Sequence, residues 1–274
     1  YIDSIWTHTL REDKAYECWR AIQNLVITGT KQSANEKRSY SIEDDVTQIS
    51  SSKVFGIGLS RTGTKSLTYA LHQLGLRIAH FPDDPVTFQE LSTGNYRFSL
   101  LDTQDGIADI TVSSFYPQLD QLFPDSKFIL TIRNRQDWLR SLEQHWANNP
   151  CFNDPNKQKP EDAIHMSIRR LLCKTVYGRY EFDRDSAIHT YEQHLSRVKQ
   201  YFSDRPNDLL TLNICEGETC TSPPWHKLCQ FLNKPLPKHT FPKVKERAEL
   251  TTLLQIGHNA QSQTPAHRDS PLLV

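Results

Sequence analysis

The chain carries no excess of either charge: 32 Lys and Arg residues are matched by 32 Asp and Glu. It therefore has no bulk electrostatic attraction to nucleic acid or to an anionic membrane, and any anion site must be local. No apolar run approaches the roughly 20 residues that a membrane-spanning helix needs. The six cysteines include no CxxC pair and no Cys/His group at zinc-finger spacing, so no metal is expected. Cys173 and Cys229 fall within apolar helical patterns and read as core thiols, which fits a reduced compartment. The first residues show no basic stretch followed by an apolar one, so no secretory leader is read there and a cytoplasmic location is expected. What is present is a 37% apolar fraction over 274 residues, enough for one large α/β domain or two small ones.

The chain is organised around Lys53 to Gly75, KVFGIGLSRTGTKSLTYALHQLG. Val54 to Ile57 reads as a buried strand. Leu67, Ala70, Leu71 and Leu74 recur at helical spacing, and Gly75 is placed to end that helix. Between them lies Gly58-Leu59-Ser60-Arg61-Thr62-Gly63-Thr64. A strand, a glycine-bearing turn and a helix N-terminus form an anion cradle: the backbone curls so that N–H groups point inward, and the helix dipole favours negative charge. Arg61, Lys65 and the hydroxyls of Ser60, Thr62, Thr64 and Ser66 add charge and donors. The ATP-type loop wants Gly-Lys-[Ser/Thr] after its four-residue gap. Here Thr64 stands between Gly63 and Lys65-Ser66, one residue out of register.

Upstream, residues 14–26 carry Tyr16, Trp19, Ile22 and Val26 at helical spacing, and residues 31–52 are polar enough to read as a linker. Residues 1–52 are thus expected as a helical and linker extension, 53–250 as the main domain and 251–274 as a tail. Downstream, strands are expected at 76–81, 127–132 and 209–214. Helices are expected near 136–146, 162–176, 184–202 and 225–232, with a short one after Phe115 and a helical excursion within 83–100. The acidic stretch Leu101 to Asp109 reads as a turn, and 147–160 as a loop able to cover a pocket. The run Lys127 to Ile132 is the clearest central strand, of the kind found in parallel sheets. It ends in Arg133, and ligands in open α/β sheets gather at carboxyl strand ends.

FGIGLSRTGTKSL, FYPQLDQLFPDSKFILTIRNRQDWLRS, HLSRVKQYFSDRPNDLL and WHKLCQFLNKPLP occur in that order. Over Lys53 to Lys245 the chain resembles the P-loop sulfotransferases with a GxxRTGTxSL loop. The resemblance implies a three-layer α/β fold of the P-loop NTPase type, with a central parallel sheet flanked by helices. It also implies transfer of a sulfuryl group from 3′-phosphoadenosine 5′-phosphosulfate (PAPS) to a hydroxyl or amine of a small-molecule or glycan acceptor. The loop Ser60 to Ser66 would hold the phosphosulfate, with Arg61 standing where many relatives have Lys. Arg133 and Ser141, eight residues apart, match the pair that binds the donor's 3′-phosphate. Sulfuryl transfer builds charge on the bridging and terminal oxygens, so fixed cations and N–H donors lower its barrier. Arg61 suits a charge clamp, since guanidinium holds two oxygens but does not readily release a proton; Lys65 would share that task.

Two residues compete for the general base. His80 ends the second strand near where relatives place theirs, and an imidazole titrates in the useful range. Asp109 is the rival, in a stretch where relatives often carry Asp-x-Pro and this chain has Thr111. Lys243, Lys245 and Arg247 follow Phe241-Pro242, where relatives have a basic loop over the nucleotide. The competing readings are a P-loop kinase and a nucleotide-binding module without catalysis. A kinase would need a Walker B Asp at an apolar strand end, whereas the 127–132 strand ends in Arg133.

Overall fold

The computed structural model describes residues 52–149, 163–215 and 223–261. The expected N-terminal helix at 14–26, the linker, and nearly all of the 147–160 loop lie outside them. In chain order the elements are β1 (Val54–Gly56), α1 (Thr64–Gln73), β2 (Ile78–His80), α2 (Pro85–Thr93), a 3-10 turn (Ser99–Asp102), β3 (Gly106–Ala108), α3 (Ile110–Ser113), α4 (Tyr116–Leu122) and β4 (Lys127–Ile132). Then follow α5 (Arg135–Asn148), α6 (Ala163–Tyr177), α7 (Arg184–Tyr201), β5 (Leu209–Asn213), α8 (Pro224–Leu232) and α9 (Arg247–Gln261).

The five strands form one sheet in the order β2-β3-β1-β4-β5, every pairing parallel. Alternation along the strands feeds two cores. Phe55, Ile57, Ile107, Phe128 and Leu130 face a core completed by α3, α4, α6 and α7. Val54, Ile78, Ala108, Ile129 and Leu212 face the other, completed by α1 and α8. Helices therefore cover both faces of a parallel sheet, the three-layer α/β architecture expected. α9 packs on α1 and crosses the anticipated boundary at residue 250.

One expectation is corrected. The acidic stretch 101–109 is not merely a turn, because it contains β3, paired on both sides by β2 and β1. The strand is three residues long and all three are buried. The flanking Asp105 and Asp109 mask it. Gly106 is needed in it, because a Cβ there would lie 1.8 Å from the Val54 carbonyl oxygen.

The strand order locates the crevice. From β1 the chain turns one way, through α1 to β2. From β4 it turns the other way, through α5–α7 to β5. A ligand cleft is expected where neighbouring strands part like this, at their carboxyl ends. The loop 57–63 and Arg133 leave the sheet at that place.

Candidate active site

The loop after β1 packs hard against β4. A Cβ on Gly58 would sit 1.9 Å from Thr131 Oγ1, so only glycine allows the approach. Thr62 Oγ1 donates to the Leu59 carbonyl at 2.6 Å and also lies 2.6 Å from Thr131 Oγ1. With its one proton spent on Leu59, it must accept from Thr131. Gly63 caps α1 in the left-handed region, φ 100°. It offers no side chain, so the first-turn amides of α1 carry no side-chain cap, and that turn has no acidic residue. By contrast, Asp84, Asn134 and Asp183 cap α2, α5 and α7. An uncapped, acid-free helix start facing a crevice has the electrostatics of an anion site.

The expected loop hydroxyls mostly serve the protein itself. Thr62 is buried inside the loop. Ser66 Oγ accepts from the Val244 amide at 2.9 Å. Ser60 Oγ donates to Asp109 Oδ1 at 3.0 Å, and Thr64 Oγ1 lies 3.1 Å from His80 Nε2. The reason is local: a loop this tight has polar groups to satisfy within a buried sheet edge. Lys65 Nζ donates to the Lys245 carbonyl at 3.0 Å, so the segment after Pro242 packs against the start of α1. Of the three basic residues expected there, Lys243 and Lys245 are exposed; the Arg247 side chain lies outside the described residues.

The two basic groups flanking the crevice meet. Arg61 Nε donates to Ser141 Oγ at 3.0 Å, and Arg133 Nη1 reaches the Arg61 carbonyl oxygen at 3.4 Å. Both arginines are half-buried. Arg133 is fixed from behind: Tyr191 accepts from its amide at 3.1 Å and donates to its carbonyl at 2.6 Å. The Trp138 indole, stacked on Tyr191, donates to the Ser60 carbonyl at 3.0 Å. Thus α5 and α7 set the spacing between the loop and the β4 tip.

The rival bases also lie side by side. His80 Nε2 is 3.4 Å from Asp109 Oδ2, with both side chains no more than 10% exposed. Asp109 Oδ1 accepts from Ser60 Oγ and from the Ile110 amide at 2.9 Å. Asp109 pays for this position with φ 87° and ψ −171°, a region almost confined to glycine and costing about 1–3 kcal/mol. Arg61 sits at φ 72°. Strained non-glycine residues concentrate at functional sites, and these two face each other across Ser60.

Two titratable groups near the site were not singled out from the sequence. His145 lies one helical turn beyond Ser141 on α5, and burial pushes its pKa down to about 4, helped by Arg169, Arg61 and Lys65 and opposed by Asp109. Arg169 on α6 is buried, and its Nη2 has no partner. Ser141-x-x-x-His145 was the one signal available for His145. Arg169 sits in an apolar pattern that gives a guanidinium no apparent place.

A model of the sulfotransferase domain matches residues 53–250. The chain belongs to the sulfotransferase family. It is also 25% identical over 219 residues to Ava biosynthesis cluster protein M of Aspergillus versicolor, covering 70% of this chain and 80% of that protein. The matched span in this family member starts one residue before β1 and ends within α9. Among the described residues, no helix is long and apolar enough to cross a membrane.

The loop also rests on a half-buried imidazole. His194 Nε2 donates to the Ile57 carbonyl at 2.8 Å, and burial pushes its pKa down to about 4. A histidine with a folded pKa below its unfolded value of about 6.5 contributes its full stability above pH 6.5. It loses that contribution as pH falls toward 4. Unfolding in urea at pH 7 and pH 5 is expected to show about 2 kcal/mol of acid destabilisation from this group. His194→Gln, which keeps an N–H for Ile57, should flatten that dependence.

Proposed function

We propose that the protein transfers a sulfuryl group from PAPS to a hydroxyl or amine of a small-molecule acceptor. The observation that carries this reading is the meeting of Arg61, Ser141 and Arg133 at the crevice between β1 and β4, beside an uncapped helix start. One nucleotide carrying phosphates at both ends fits such a paired grip. Arg133 and Ser141 would take the 3′-phosphate, and Arg61, Lys65 and the first amides of α1 the phosphosulfate. The fit is chemical: two guanidiniums, an ammonium and a helix start without a side-chain cap match a polyanion.

When bound, PAPS supplies the activated sulfuryl group. The acceptor oxygen or nitrogen forms a bond to sulfur as the bridging S–O bond breaks, and adenosine 3′,5′-bisphosphate departs. Arg61 and the loop amides stabilise charge growing on the bridging oxygen. His80 takes the acceptor's proton. Asp109 orients that imidazole and offsets the positive charge it gains. The two candidate bases thus serve as one unit, with His80 as base and Asp109 as its positioner. The relative's name places that protein in a biosynthesis cluster, which favours a small-molecule acceptor here over a glycan.

A thermal-shift series tests the donor. Adenosine 3′,5′-bisphosphate should raise the melting temperature more than ATP or ATP with Mg²⁺ at equal concentration. A larger shift with ATP and Mg²⁺ would favour the kinase reading. Labelled sulfate transfer from PAPS then separates an enzyme from a binding module.

A further inference from the structure

Arg169 is 93% buried, and its Nη2 makes no hydrogen bond. No carboxylate among the described residues lies within ion-pair distance of it. A buried, unpaired guanidinium is costly unless a ligand completes it. Its neighbours along α6 show where it lies. One turn before it, His165 Nδ1 is 2.9 Å from Asp83 Oδ2 and its ring packs on Phe81, just past the β2 tip that carries His80. One turn after it, Cys173 packs with Leu59, Trp138 and Leu142. Arg169 therefore spans the region between His80 and α5, over the carboxyl edge of the sheet. α3, which follows Asp109 and carries the buried, unpartnered Thr111 hydroxyl, packs against the same helix.

A second unassigned group lies one helical turn beyond Ser141. His145 is half-buried on the Ser141 face of α5. Burial, with the positive charges of Arg169, Arg61 and Lys65, pushes its pKa down to about 4. The site thus holds more positive charge than the donor's two ends need. Arg133 with Ser141, and Arg61 with Lys65, already answer for those ends. Arg169 is left over.

We propose that Arg169 holds a carboxylate of the acceptor, so that the substrate is a hydroxylated or aminated carboxylic acid. This rests on the sulfuryl-transfer reading above. The carboxylate is an unreactive handle. The bond to sulfur forms at the acceptor's hydroxyl or amine, that group's proton goes to His80, and the bisphosphate leaves. A guanidinium fork matches a carboxylate with two parallel N–H donors.

The test uses the full chain saturated with adenosine 3′,5′-bisphosphate. Calorimetry compares 4-hydroxybenzoate with 4-hydroxybenzamide, and 4-hydroxybutyrate with its amide. At least one acid should bind tenfold or more tightly than its amide. Arg169→Gln should erase that preference, and Arg169→Lys should retain part of it, with bisphosphate affinity unchanged in both. Melting temperatures confirm that both variants are folded. The inference fails if neither acid outbinds its amide, or if the preference survives in Arg169→Gln. It also fails if Arg169→Gln weakens the bisphosphate, because Arg169 would then belong to the donor. Absence of bisphosphate binding to the wild type would instead overturn the donor reading itself.

Discussion

Arg61→Ala is expected to slow sulfuryl transfer by about 10²–10³-fold, the usual loss when a preorganised charge clamp is removed. Arg61 is also strained. At φ 72° it occupies the left-handed region that a long side chain seldom adopts, at a cost of about 1–3 kcal/mol. Arg61→Gly should therefore melt higher than the wild type while being as inactive as Arg61→Ala. Arg61→Lys should keep charge but lose the fork, and so fall between. Labelled sulfate transfer and thermal melts on the three variants measure both quantities. If Arg61→Gly were both active and more stable, the strain would have no catalytic purpose.

The second large effect concerns His80. His80→Ala should lower the rate by about 10²–10⁴-fold and abolish the acid limb of the pH–rate profile. Asp109→Asn keeps an oxygen for the Ile110 amide and the Ser60 hydroxyl, so the loop should hold its shape. It removes the charge that faces His80 Nε2 at 3.4 Å. On the proposed joint role, the double variant should be little slower than His80→Ala alone. Additive losses would mean that Asp109 acts on the substrate independently. Wild-type rates in His80→Ala would remove the imidazole from the reaction.

Much of the fold was legible because its strands and helices obey strong periodicities. β4 and β5 are apolar runs, and α1, α7 and α8 repeat their apolar residues at helical spacing. β3 was hidden because three residues between aspartates carry no periodic signal, and only the sheet gives them their pairing. The phosphate-type loop was visible from Gly58, Gly63 and the basic residues between and after them. What those residues touch was not, since Thr62 and Ser66 turn inward to the protein. His80 and Asp109 appeared as rivals because a sequence separates them by 29 positions, whereas adjacent positions in the sheet bring their side chains together. Arg169 had no signal at all. Its oddity is its burial, and burial is a property of the folded chain.

The proposed nucleotide is gripped at its 3′-phosphate by Arg133 and Ser141 and at its other end by the loop before Ser66. The most direct measurement is calorimetric affinity for adenosine 3′,5′-bisphosphate against adenosine 5′-monophosphate, in the wild type and in Arg133→Ala with Ser141→Ala. The wild type should prefer the bisphosphate by at least about tenfold, given the roughly 1.5–3 kcal/mol of a charge-assisted hydrogen bond, and the double variant should bind the two alike. Equal wild-type affinities, or a preference that survives loss of both residues, would contradict this grip.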